Sequence, residues 1–305
     1  PAPPMPSRRQ RQMCIRDSPA DHVGEDNIRD KLILAELEDY TYNDQKWIKR
    51  IQEIVQGFKA IYGGGNDCKI GITGFDKDSS SYYLKAFPQW DLVPPDNHEP
   101  LDATDMRHFY FDTGTVLSGK MPQGTLEFLA TFKDTEEYAT LHEEYRILKE
   151  YKRAWEAAPY PPTFNTVDAI VVQAGHVLLV QRDHVPGRGL YALPGGFINE
   201  DETLLNAALR ELKEETKIDC PVPVIKGSQV GPSRTFDDPK RSTRGRTITE
   251  GFLFHLEARP EGLYRVKGSD DARKAEWWTV EELDRRRDEL FEDHYHIIRH
   301  FLGRI

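Results

Sequence analysis

The chain has 305 residues, more than one ordinary core accommodates, so its length predicts two domains of about 150 residues each. Its composition is 38% hydrophobic and 30% charged, with 14 Phe, 13 Tyr and 5 Trp, which excludes a wholly disordered chain, and no apolar run approaches the ~18 residues of a membrane span. A net charge of −10, from 41 Lys plus Arg against 51 Asp plus Glu, argues against a nucleic-acid partner while leaving small phosphorylated ligands open.

In chain order, residues 1–18 open with Pro1, Pro3, Pro4 and Pro6 and continue with Arg8, Arg9, Arg11 and Arg16. They lack the apolar core of a secretory signal and read as an artefactual or disordered segment. A strand around residues 31–35 comes next. Trp47, Ile51, Ile54, Val55, Phe58 and Ile61 then mark a helix, and residues 69–73 a second strand, together a parallel α/β unit. Tyr138, Leu141, Tyr145, Leu148, Lys152 and Trp155 form a later helical stripe. It is stopped by Pro159, Pro161 and Pro162, which set the expected domain seam between 19–158 and 159–305.

Beyond the seam, 169–172 and 176–180 read as strands joined at Ala174-Gly175. A loop with Pro186, Gly187 and Gly189 leads to Leu193-Pro194-Gly195-Gly196, a helix over 203–216, strands over 247–256 and 275–280, and a final helix over 281–301. Mixed strands with helices packed on them predict an α/β or α+β sandwich. Cys14, Cys68 and Cys220 have neither metal-ligand spacing nor the number for a disulfide framework, which points to the cytoplasm.

The informative run is Gly196, five residues, Glu202, seven residues, then Arg210-Glu211-Leu212-Lys213-Glu214-Glu215. On a helix, Leu205, Ala208, Leu209 and Leu212 bury one side, Glu211 and Glu215 share a face, and Glu214 lies beside them. Like charges so placed cost a few tenths of a kcal/mol each. A hard divalent cation would reverse that penalty, with a backbone carbonyl at Gly195 or Gly196 completing its shell. Arg210 can reach both Glu214 and Glu202. A solvated acidic helix explains any one of these glutamates. It does not explain six residue types at fixed spacing, which chance supplies at about 10⁻⁷ per starting position. Asp270, Asp271 and Glu276 are candidates for a base outside the helix, while Trp277 and Trp278 read as core, with adenine stacking as the alternative. Arg244 and Arg246 suit phosphate oxygens, with a solvated turn as the alternative. Thr104 and Arg107, three apart at a helix start, also suit a phosphate, with an ordinary capped turn as the alternative.

This run resembles the Nudix hydrolase signature. Gly196, Glu202, Arg210, Glu211, Leu212, Glu214, Glu215 and Ile218 match, and Lys217 replaces the glycine that ends the helix. The resemblance implies an α/β/α sandwich in which Glu211, Glu214 and Glu215 bind Mg²⁺ or Mn²⁺ and Arg210 and Glu202 form a structural pair. The wider order of motifs resembles the bacterial bifunctional enzymes that join a nicotinamide mononucleotide adenylyltransferase to an ADP-ribose pyrophosphatase. Lys77-Asp78-Ser79-Ser80-Ser81-Tyr82-Tyr83-Leu84, Phe87-Pro88-Gln89-Trp90 and Asp102-Ala103-Thr104-Asp105-Met106-Arg107 carry that likeness. Departures are Phe75 for a histidine, Asp102 for a serine, and the absence of the Gly-Arg-Phe-Gln-Pro-Phe-His run that cradles ATP.

The implied architecture is an incomplete Rossmann-like nucleotidyltransferase domain followed by a Nudix domain. The implied activity is cleavage of ADP-ribose to AMP and ribose 5-phosphate, with little or no adenylyl transfer. An open sheet edge in the incomplete domain predicts reduced stability or self-association as a homo-oligomer. Rival readings are a pyrophosphatase for another dinucleotide or sugar nucleotide, and a module that senses ADP-ribose without cleaving it. The intact glutamates favour catalysis over sensing.

Overall fold

The computed structural model describes residues 33, 35–38, 40–62, 69–74, 79–94, 103–116, 119, 121–269, 272–303 and 305. Residues 1–18, Phe75, Asp102, Asp270 and Asp271 lie outside these. So does most of the strand expected at 31–35, of which Ile33 and Ala35 are described and are not in a strand. The chain divides into two compact units between Glu127 and Phe128.

The first unit holds helix α1 (Asp44–Tyr62), strand β1 (Gly71–Ile72), a 3₁₀ turn (Ser79–Lys85), strand β2 (Asp91–Leu92) and helix α2 (Ala103–Thr113). β1 and β2 pair in parallel, Gly71 opposite Asp91; β1 lies within the strand expected at 69–73, whereas the partner expected for it at 31–35 falls largely outside the described residues. Phe87 is buried, stacked 4.4 Å from Trp90 and 5.9 Å from Trp47, so the Phe87-Pro88-Gln89-Trp90 segment anchors α1. Helix α3 (Gln123–Phe132) runs across the division.

The second unit opens with helix α4 (Glu136–Ala154), capped by Thr135, whose hydroxyl accepts from the Tyr138 amide. The helix ends at Ala154, ahead of the three prolines, and Tyr151 and Trp155 pack on Phe164 at 5.7 and 5.4 Å. Strands β3 (Thr163–Gln173), β4 (His176–Arg182), β5 (Tyr191–Ala192), β6 (Gly195–Phe197), β7 (Arg234–Phe236), β8 (Arg246–Leu256) and β9 (Ala272–Thr279) form one mixed sheet. β3 and β8 run parallel over their whole length, from Thr163 opposite Arg246 to Gln173 opposite Leu256. β3 and β4 meet at a hairpin whose turn residues, Ala174 and Gly175, both have positive φ. β4 then diverges to pair with β5 and β9, and the start of β3 pairs with β6.

Helix α5 (Leu204–Thr216) covers one face of the sheet, burying Ala208 and Leu212 with Val167, Val171, Leu178 and Phe254. Helix α6 (Val222–Gly227) adds Ile225 to the same cluster. On the other face Gly251 has no Cβ, and Ile170, Phe236 and Phe301 close over it. Phe301 belongs to the last helix, α8 (His294–Leu302). Strands buried on both faces read as continuous apolar runs, and the α/β/α sandwich follows.

The single helix expected over 281–301 is corrected. It is helix α7 (Val280–Arg285), a 3₁₀ turn (Arg287–Glu289) and α8. Between them Leu290 bridges to Tyr191, the Phe291 amide donates to the Tyr191 carbonyl, and Glu292 adopts φ 46°. Pairing with β5 outcompetes helix continuation there.

Candidate active site

Helix α5 starts at Thr203, whose hydroxyl accepts from the Asn206 amide, and ends at Lys217 in the left-handed region (φ 45°, ψ 30°). Lys217 thus adopts the backbone the expected glycine would supply, and its amide donates to the Lys213 carbonyl. The termini fix the phase of the helix, which turns Leu212 to the core and Glu211 and Glu215 to β6.

The two glycines of β6 make that approach possible. A Cβ on Gly196 would stand 2.6 Å from Glu211 Oε1, and one on Gly195 2.1 Å from the Val167 carbonyl. Gly195 and Gly196 therefore do not form a turn before the helix. They are strand residues, neither at positive φ, and glycine is required there for close packing. The Gly195 amide donates to Glu215 Oε2 at 3.0 Å.

Arg210 binds Glu202 with both arms, Nε to Oε2 at 3.0 Å and Nη2 to Oε1 at 2.6 Å, as the spacing predicts. It also donates to the Phe197 carbonyl at 3.1 Å, to Glu211 Oε1 at 2.8 Å and to Glu214 Oε2 at 3.0 Å. This guanidinium, with the Asn199 amide, holds the Glu202 carboxyl down to about 2.

Burial pushes Glu215 up to about 8 and Glu211 upward as well. Among the described residues no three His, Cys, Asp or Glu side chains converge on one point. Arg210 stands between Glu211 and Glu214 as their cation. The donor chemistry nonetheless fits a hard divalent cation. Glu211 and Glu215 are carboxylates whose ionisation burial opposes, and a metal offsets that cost.

Glu215 opens onto a cleft whose other walls come from distant segments: Arg182 at the end of β4, Arg244 before β8, and Phe291, Glu292 and His294 from the broken C-terminal helix. Burial lowers the Arg182 pKa, and its guanidinium lies 4.0 Å over the Phe291 ring. Arg244 lies 5.5 Å over Phe197 and 3.9 Å from Glu292. Arg241, which also lines the cleft, forms a buried two-armed pair with Asp293, both bonds 2.9 Å. The cleft thus gathers three guanidiniums, of which Arg241 is paired with Asp293, beside Glu215 of the carboxylate helix, an arrangement suited to a polyphosphate.

The predicted residues divide accordingly. Gly195, Gly196, Glu215 and Arg244 line the cleft, and Glu211 packs against Gly196 behind it. Arg246 does not line it; it donates to the Asp237 carbonyl. Thr104 and Arg107 share the first turn of α2 in the other unit, Arg107 donating to Thr104 at 3.4 Å. Glu276 accepts from the Tyr191 hydroxyl at 3.0 Å, and Trp278 is buried, as a core residue would be. Sequence reasoning missed Arg182, Phe291, Glu292 and His294. The one local signal was a guanidinium closing the apolar run of β4.

Residues 162–301 match the NUDIX domain family. The crystal structure of a bifunctional NMN adenylyltransferase/ADP ribose pyrophosphatase from Francisella tularensis, complexed with AMP and a Mn ion, superposes with a TM-score of 0.86 at 35% identity. The match covers 99% of this chain and 86% of that one. The ADP-ribose pyrophosphatase of Methanocaldococcus jannaschii is 33% identical over 136 residues, 45% of this chain and 71% of that protein. The nicotinamide/nicotinic acid mononucleotide adenylyltransferase of Acinetobacter baylyi is 41% identical over 106 residues. This is 34% of the chain and 53% of that relative, about half its length. Signature helix, sandwich and these relatives agree: the chain belongs to the Nudix hydrolase family, its hydrolase domain preceded by a region similar to nicotinamide mononucleotide adenylyltransferases.

Proposed function

We propose that this chain hydrolyses the pyrophosphate of ADP-ribose to AMP and ribose 5-phosphate with Mg²⁺ or Mn²⁺, as a step of NAD metabolism in the cytoplasm. The observation that carries the reading is the cleft lined together by Arg182, Arg244, Gly195 and Glu215. The names of the Methanocaldococcus and Francisella relatives, and the AMP and Mn ion bound to the latter, support the substrate class and the metal.

Arg182 and Arg244 receive the phosphate oxygens and orient the diphosphate. Glu211, Glu214 and Glu215, with the Gly195 carbonyl, are the ligands proposed for the cation, which when bound neutralises phosphate charge and acidifies water. Glu202 and Arg210 hold the loop before α5 against the helix. A water oxygen forms a bond to one phosphorus, the bridging P–O bond breaks toward the other phosphate, and the water proton passes to a carboxylate. Asp270 and Asp271 are our candidates for that acceptor. In the first unit Thr104 and Arg107 are proposed to bind a nucleotide phosphate. Adenylyl transfer is not assigned to these 305 residues, which contain no Gly-Arg-Phe-Gln-Pro-Phe-His run. NAD formation from ATP and nicotinamide mononucleotide would overturn that.

The test is product release across a panel of nucleotides with Mg²⁺ or Mn²⁺. ADP-ribose is expected to yield AMP, and Glu211→Gln and Glu215→Gln each to cut turnover by about a hundredfold or more. Tight ADP-ribose binding without turnover would replace the hydrolase by a sensor, and preference for another dinucleotide or sugar nucleotide would replace the substrate.

A further inference from the structure

Arg182 does not reach the cleft by strand geometry alone. It is the last residue of β4, and the loop that follows, residues 183–190, folds back on it. The Gly189 amide donates to the Arg182 carbonyl at 2.8 Å, the Arg182 amide to the Leu190 carbonyl at 2.9 Å, and Arg182 Nε to the Pro186 carbonyl at 3.0 Å. The guanidinium therefore points wherever Pro186 is held. Three contacts, on two sides, hold that segment. On one side Gly187, at φ 79°, lies so close to Phe291 that a Cβ would stand 2.3 Å from its ring. On the other side the Gly187 amide donates to Glu144 Oε1 at 2.6 Å, and Arg188 pairs with Glu143 at 3.3 Å.

Glu143 and Glu144 lie on α4, ahead of the segment that matches the family, Glu144 43 residues before Gly187. Strand, loop and helix thus form one chain of contacts: Glu144, Gly187, Pro186, Arg182. A carboxylate accepting a part-buried backbone amide makes a charge-assisted bond, stronger than a neutral one. Its loss would leave the amide without that partner and, on the α4 side, only the exposed Arg188–Glu143 pair to hold the loop. Glu144 is also near enough to Arg182 to favour its charged form.

We propose that Glu144 is a positioning residue of the hydrolase: by accepting the Gly187 amide it sets the 183–190 loop and so aims the Arg182 guanidinium at the substrate diphosphate. This rests on the ADP-ribose reading above. A helix outside the Nudix segment therefore forms part of the hydrolytic apparatus.

The experiment uses the full chain and a double-mutant cycle of Glu144→Ala and Arg182→Gln, with Glu144→Gln as the conservative variant. Glu144→Ala is expected to raise KM for ADP-ribose about tenfold with kcat within twofold, because ground-state and transition-state contacts to phosphate weaken together. Glu144→Gln keeps an acceptor oxygen and is expected to restore most of the loss. In the Arg182→Gln background Glu144→Ala is expected to change KM less than twofold. Hydrogen exchange at the Gly187 amide should quicken in Glu144→Ala and not in Glu144→Gln. An unchanged KM in Glu144→Ala, or an equal effect with and without Arg182, overturns the assignment while leaving the hydrolase reading intact. A wild-type chain that cleaves none of the nucleotide panel overturns both.

Discussion

Lys217 carries a left-handed backbone, φ 45°, at the position where a glycine would take it at no steric cost. Replacing Lys217 by Gly is expected to stabilise the protein by about 1 kcal/mol in denaturant titration, with turnover unchanged. Gly196 makes the opposite case, since its missing Cβ is the space Glu211 occupies. Gly196→Ala is expected to leave a folded protein, judged by circular dichroism, with kcat lowered about a hundredfold, as a carboxylate displaced by about 1 Å would predict. The carboxylates and Arg210 were legible in the sequence because a helix turns fixed spacing into a shared face. The role of Gly195 and Gly196 was only half legible. Sequence shows that a Cβ is absent, and only the packed structure shows that a carboxylate and a carbonyl oxygen fill the space.

At the scale of elements, the C-terminal segment 281–301 matters most. Its apolar spacing suits a helix, and nothing in its composition, Gly or Pro, marks the break. The break is a tertiary effect, set by pairing of Leu290 and Phe291 with Tyr191, and it delivers Glu292 and His294 to the cleft. The hairpin, α5 and β8 were legible because each carries its own period or turn residues. The cleft's second wall was not, since its residues come from strand ends and a tertiary kink. His294 is buried there and accepts the Leu193 amide on Nδ1 at 3.0 Å, so the ring is neutral. Burial lowers its pKa below the ordinary 6.5. The sign follows from proton uptake. Below pH 6.5 the unfolded chain binds a proton that the folded chain does not, so this contribution is whole above pH 6.5 and fades as pH falls toward the folded value. Urea titrations from pH 8 to pH 5 should show that loss, and His294→Gln should flatten it. An equal slope in both proteins would remove His294 as its source.

At the scale of the whole molecule, a net charge of −10 coexists with a cleft lined by Arg182, Arg241 and Arg244. The sandwich core is built from side chains on both faces of the sheet, none of them among the proposed cation ligands. Chelation is therefore expected to abolish turnover without unfolding, circular dichroism being retained. If the cation is present at about a hundred times its Kd, its removal should lower stability by about 2.7 kcal/mol through mass action. Unfolding on chelation would make the cation structural instead. Among the described residues no helix is long and apolar enough to cross a membrane.

The parallel pairing of β3 with β8 has a kinetic meaning. Thr166 and Ile248, joined across that pair, are 82 residues apart, and such distant closure makes assembly slow. During synthesis the middle of the sheet must wait for β8 to emerge. Until then the β3–β4 hairpin presents a bare apolar flank that invites chaperones. The glutamate-bearing helix is thus translated well before β8 and β9, part of the floor on which it comes to rest.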